Sequence, residues 1–194
     1  YAGSIKYDTF DIDTIPANKM SKIATLITND SYLVQGSIRS HLSVNKHITE
    51  EDMYNALEKV NLKDFVIENG GLDYQLSCGA SNLSGGQKQR LLAAKAILKD
   101  SYIYILDEAV SNIDDYSKKI VHDAFDSIKN GKIIVVISHD LETITNSDNI
   151  YVLKDQQIIE EGTHEQLIDQ PSLYKKLFND QQQLKEKFLA KEVE

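Results

Sequence analysis

Tyr102-Ile103-Tyr104-Ile105-Leu106-Asp107-Glu108 is a nearly continuous apolar run that ends in two adjacent carboxylates. A short run rich in Ile and Tyr, without polar alternation, reads as a strand covered on both faces of a parallel sheet. Two runs of the same kind flank it, residues 22–28 and 132–138. Helical patterns lie around and between them at residues 49–60, 86–99 and 115–129, the first opened by Thr49 and Asp52 as a capping box with the shorter acid. Strands alternating with helices predict an α/β domain. Further on, residues 150–152 and 157–159 read as two short strands joined by the polar turn Lys154-Asp155-Gln156. From Pro171 onward the spacing predicts an amphipathic helix, with Leu173, Leu177, Leu184 and Phe188 as its packing side.

In an open parallel sheet, ligands sit beyond the carboxyl ends of the strands. Two acids at that edge divide labour naturally, Asp107 toward a hydrated Mg²⁺ and Glu108 toward an attacking water. Taken alone, a strand running into an acidic turn is the commoner occurrence. Leu83-Ser84-Gly85-Gly86-Gln87-Lys88-Gln89-Arg90 is far more specific. Ser84 is a good helix N-cap, and two glycines let backbone N–H groups approach an anion at a helix start.

Acidic residues outnumber basic ones 30 to 21, for a net charge of -9, which leaves no broad footprint for nucleic acid or anionic lipid. Any membrane role is therefore expected through a protein partner. The longest aliphatic run, residues 133–137, is too short to span a bilayer, and no signal peptide is recognised. Cys78 is the single cysteine, so no internal disulfide forms, which fits a reducing compartment such as the cytosol.

The string from Leu83 to Arg90 resembles the signature motif of ABC ATPases, and the run ending in Asp107-Glu108 resembles their Walker B strand. The separation from Gln87 to Asp107 (107 − 87, or 20 residues) fits that family. Ser111-Asn112-Ile113-Asp114 resembles the D-loop, and His139 after residues 134–138 resembles the switch histidine. Gly162-Thr163-His164 closes the chain like an exporter-type domain, His164 being structural. The resemblance implies a P-loop NTPase-type sheet core, residues 1–29 and 101–194, interrupted by a helical subdomain at about residues 30–100. It implies ATP and Mg²⁺ as cofactors, a second ABC ATPase domain as head-to-tail partner, and a transmembrane domain at the cytoplasmic side of a membrane. Ser84, Gly85, Gly86, Gln87 and Asp114 are then expected at nucleotide, Asp107 and Asn29 at the metal, and Glu108 and His139 in hydrolysis.

Three departures qualify this. No stretch matches G-x-x-x-x-G-K-[ST], the loop that holds the β- and γ-phosphates. In the family that loop lies upstream of the segment that Tyr1-Ala2-Gly3-Ser4-Ile5-Lys6-Tyr7-Asp8 resembles, so the chain alone is expected to be inactive. Asn29 stands where the family has a glutamine, and Cys78 where exporters usually have an acid. Two other readings stay open: a non-transport ABC ATPase, and a non-catalytic module that completes a partner's site.

Overall fold

The computed structural model describes residues 3–192, with side chains through Lys187; Tyr1, Ala2 and the Phe188 side chain lie outside the described residues. The chain falls into two compact units, residues 1–137 and 138–194.

The first unit opens with a small antiparallel hairpin, β1 (Lys6–Tyr7) and β2 (Phe10–Asp11). Pro16, with φ already set for helix entry, precedes α1 (Ala17–Ile23), which runs directly into β3 (Ala24–Thr28). Then come β4 (Gly36–Ser37), α2 (Ile38–Leu42), α3 (Glu50–Lys59), α4 (Lys63–Glu68) and β5 (Gln75–Leu76), which pairs back onto β4. Helix α5 (Gly85–Leu98) leads to β6 (Ile103–Asp107), α6 (Asp115–Asp126) and β7 (Ile133–Ile137). The three long strands form a parallel sheet in the order β3-β6-β7, with Thr28 beside Asp107 and Asp107 beside Ile137 in register.

This α/β arrangement follows from the side chains. Thr25, Ile27, Tyr104 and Leu106 alternate onto one face and are buried in a continuous apolar cluster with α5, α6 and the helices of residues 30–80. Leu42, Leu57, Val60, Val66 and Leu91 are fully enclosed there, and each such side chain contributes about 2 kcal/mol. Tyr104 is wholly buried, yet its hydroxyl accepts the Ser101 N–H at 3.0 Å and its ring meets Phe125 edge-on at 5.3 Å. Thr25 and Ser101 hydroxyls satisfy each other at 2.7 Å where β3 and β6 begin.

The expectation of a sheet covered on both faces is corrected. Leu26, Ile133, Val135 and Ile137 are 41–59% exposed on the opposite face. The helices between these strands lie in the cluster on the Tyr104 side, and no described element of the first unit covers the other face.

The second unit holds a 3₁₀ turn at Leu141–Ile144 and a hairpin of β8 (Ile150–Lys154) and β9 (Gln157–Gly162), with Asp155 and Gln156 left-handed at its tip. After it come α7 (His164–Asp169) and α8 (Leu173–Glu192). His164 is structural, its Nδ1 sharing a 2.8 Å hydrogen bond with Tyr174 Oη and its ring packing on Phe178. The predicted packing stripe of α8 is corrected in part: Leu173 is half-buried, but Leu177 and Leu184 are exposed, while Tyr174 is buried and Phe178, Gln181 and Lys185 are half-buried.

Candidate functional site

Asn29, Asp107 and Glu108 all sit at the carboxyl edge of the parallel sheet. Asp107 ends β6 and is half-buried, Glu108 follows it into solvent, and Asn29 follows the last residue of β3. The register partner of Asp107 is Thr28, so Asn29 and the two acids are gathered at one edge by strand pairing alone.

Backbone geometry fixes the direction of Glu108. Its φ is +48°, a left-handed conformation that a glutamate adopts only when its surroundings enforce it. One enforcing contact comes from the neighbouring strand and two come from the turn itself. Its N–H donates to the Ile137 carbonyl at 3.0 Å, and its own carbonyl accepts both the N–H and the hydroxyl of Ser111 at 3.1 and 3.0 Å. Asn29 is held likewise. The Ser31 hydroxyl accepts the Thr28 N–H at 3.0 Å, and the Ser31 N–H donates to the Thr28 carbonyl at 3.1 Å, closing a tight turn around Asn29 and Asp30. A cavity of about 300 Å³ opens beside this loop rather than at the acids, lined in part by Tyr32, Lys95 and Lys99.

A second grouping forms at the start of α5. Ser84 Oγ accepts the Gln87 N–H at 3.1 Å while Gln87 Oε1 accepts the Ser84 N–H at 2.9 Å, a complete capping box. The box leaves the Ser84 O–H, the Gln87 amide N–H₂ and the first-turn backbone N–H groups as donors toward an anion. Gly85 is exposed with little near its Cα. Gly86 is buried for a separate reason: an added Cβ would stand 2.3 Å from Ser117 Oγ and 2.8 Å from Asp114 Oδ2. Asp114 caps α6, its carboxylate accepting the Ser117 N–H at 2.8 Å, and those hydrogen bonds hold its pKa below the usual range. Gly86 and Asp114 therefore lie against each other.

His139 is exposed and belongs to the second unit, two residues after β7 ends. Cys78 is exposed, and the loop around it is held by Asn82, which accepts the Ser77 N–H at 3.0 Å. Sequence reading missed the serines at 31, 111 and 117 as site supports. Each lies three residues after the group it holds, the spacing of hydroxyl-closed turns and caps.

The family model described as ABC transporter matches residues 1–111. The chain belongs to the ABC transporter family. It is 39% identical over 185 residues to an ABC transporter ATP-binding protein of Haemophilus influenzae, covering 95% of this chain and 33% of that one. It is 35% identical over 184 residues to an ATP-dependent lipid A-core flippase of Saccharophagus degradans, covering 92% and 31%. The ABC chain therefore spans about a third of the length of these relatives. Its fold matches that of a bacterial Atm1-family ABC exporter with ATP bound, with a TM-score of 0.86 at 24% identity over 93% of this chain and 32% of that one. The P-loop NTPase-type α/β fold of ABC domains is thus established here, and ATP binding is the function of the family. Among the described residues, no helix is long and apolar enough to cross a membrane.

Proposed function

We propose that this chain is the signature- and carboxylate-bearing part of an ATPase domain that powers export through an associated transmembrane domain at the cytoplasmic side of a membrane. The observation that carries the reading is the left-handed Glu108, locked beside Asp107 at the sheet's carboxyl edge. Backbone strain of this kind is retained where a side chain must point one way.

In this reading Glu108 takes or orients the proton of an attacking water, and its exposure leaves room for that water. His139 contacts the γ-phosphate. Ser84, Gly85, Gly86 and Gln87 offer their donors to ATP held by a second ABC domain paired head to tail, and Asp114, which lies against Gly86, belongs to the same nucleotide-binding set. The donor set fits Mg²⁺: one half-buried carboxylate, Asp107, and one amide, Asn29, suit an ion that keeps waters and phosphate oxygens as its other ligands. When bound, the ion neutralises phosphate charge. The described residues form no cluster of three or more His, Cys, Asp or Glu that would favour an all-protein metal cage. The sheet core is assigned to residues 1–29 and 101–194 and the helical subdomain to residues 30–100. A nucleic-acid partner is not part of the reading, given the net charge of -9.

The test is one ATPase assay on the full-length protein, its Glu108→Gln variant and the 194-residue chain. The variant keeps ATP binding and loses turnover by at least about 10²-fold, because an amide cannot act as a base. The isolated chain, with no G-x-x-x-x-G-K-[ST] stretch to hold phosphates, shows none. Near-normal turnover in Glu108→Gln would reduce Glu108 to the acidic end of a strand, and turnover by the chain alone would refute its inactivity.

A further inference from the structure

Gln181 lies on α8, 42 residues after His139, yet its side-chain amide clasps the main chain on both sides of Asp140. Its Nε2 donates to the His139 carbonyl, and its Oε1 accepts the Leu141 N–H at 3.1 Å. The next residues of the same helical face continue the grip. Gln182 Nε2 donates to Glu142 Oε1 at 2.7 Å, and Lys185 pairs with Glu142 and stands 3.8 Å from Asp140 Oδ1. The loop is braced from within as well: Ser138 Oγ accepts the Asp140 N–H at 3.0 Å and shares a 3.1 Å hydrogen bond with Thr143 Oγ1, whose own proton goes to the Asp140 carbonyl at 2.6 Å.

These contacts leave the His139 side chain exposed while its peptide is fixed. A carbonyl and an N–H two residues apart need a donor and an acceptor together, and among side chains of this length the glutamine amide alone presents both in one plane. Asn shares the amide on a shorter stem. The half-buried amide at 181 lies between Phe178 and Lys185 on the inward face of α8, where a hydrophobic residue would satisfy helix packing but leave both loop groups unmet.

We propose that Gln181 is the positioning residue for His139, so that α8 sets where the histidine stands during hydrolysis. This rests on the functional reading of His139 given above. Displacements near 1 Å at a reacting centre can cost about 10²-fold in rate, so loss of the clasp acts on turnover more than on nucleotide affinity.

The experiment compares Gln181→Ala, Gln181→Glu and His139→Ala in the full-length protein by kcat and KM for ATP. It is paired with amide hydrogen exchange at Leu141 in the same proteins. The expected result for Gln181→Ala is a kcat about tenfold lower with KM within about twofold, and faster exchange at Leu141. Gln181→Glu keeps the acceptor for Leu141 and loses the donor to His139, so its kcat falls between. A purely structural role would lower the unfolding midpoint and leave kcat per folded molecule unchanged, which overturns the proposal, as does unchanged exchange at Leu141. Unchanged kcat in Gln181→Ala where His139→Ala abolishes turnover overturns the positioning role and leaves the functional reading intact. Normal turnover in His139→Ala means that the reading of His139 has failed, and the positioning role falls with it.

Discussion

Gly86 shows how one residue serves packing and function from the same position. A methyl group there would press on Ser117 Oγ and Asp114 Oδ2, which belong to the two residues whose carboxylate-to-N–H bond caps α6. Gly86→Ala is therefore expected to destabilise the chain by about 1–3 kcal/mol, the usual cost of overpacking. Urea unfolding of the isolated chain measures this without any nucleotide. A midpoint equal to the parent's would mean that α5 and α6 separate freely and that the glycine is kept for ligand approach alone. Gly85, where an added Cβ would meet only Ile113 Cγ2 at an ordinary 3.9 Å, is expected to tolerate the same change structurally. At this scale the sequence was informative wherever the chemistry is local. Ser84 and Gln87 satisfy each other three residues apart, so the signature string reveals its own cap. Ser111 was invisible because it acts on a carbonyl, and carbonyls carry no residue identity. The left-handed φ of Glu108 was hidden for the same reason, since its cause is a hydrogen bond to Ile137, 29 positions along the chain (137 − 108).

Elements were legible from their centres and misread at their ends. Residues 22 and 23 belong to the stretch read as one strand, and Ile23 is apolar like the rest of it, yet Pro16 starts a helix that continues through Lys22 and Ile23, so β3 begins at Ala24. The α8 stripe failed because periodicity counts leucines, whereas the inward face is made of Tyr174, Phe178 and the polar side chains that grip the loop. In α2, a buried polar residue gives a testable pH response. His41 is 5% exposed, its Nε2 shares a 2.9 Å hydrogen bond with the Val34 carbonyl, and Lys95 faces it from α5. Burial is the main cause that lowers its pKa, with Lys95 adding to it and the Val34 bond opposing. The folded chain thus binds the proton less readily than the unfolded chain, whose histidine titrates near 6.5. Stability from neutral His41 is full above that pH and is lost as pH falls below it. Asp52, Asp73 and Asp114 have depressed values, so their contribution persists until well below this window. The unfolding midpoint is expected to fall between pH 7.5 and 5.5, and the fall to shrink in His41→Gln, which keeps an N–H for Val34. An identical pH slope in both proteins would remove His41 from the account.

Across the whole molecule, what the sequence shows and what the fold leaves open diverge at the sheet. A reading of apolar runs predicts burial on both faces, because β-branched strands of this density rarely face water. The first unit covers one face, and β7 carries Ile133, Val135 and Ile137 outward along a strand whose only described partner is β6. An edge strand with an apolar face, few charges and no proline is a template for pairing with another chain. Lys132, the nearest charge, is held by Asp100 at 2.7 Å and by the Ser101 carbonyl at 3.0 Å, so it does not guard that edge freely. The isolated 194-residue chain is therefore expected to self-associate in a concentration-dependent way, read by sedimentation velocity from low to high micromolar concentration. Val135→Lys places a charge in the middle of the exposed face without touching the Tyr104 side of the sheet. It is expected to shift the chain toward monomer with a change in unfolding free energy within about 0.5 kcal/mol, as for other surface substitutions. A parent chain that stays monomeric throughout would show that the exposed face is tolerated in water. A Val135→Lys chain that associates as the parent does would move the contact elsewhere, with the exposed Tyr151 and Leu153 of the second unit as the next surface to change.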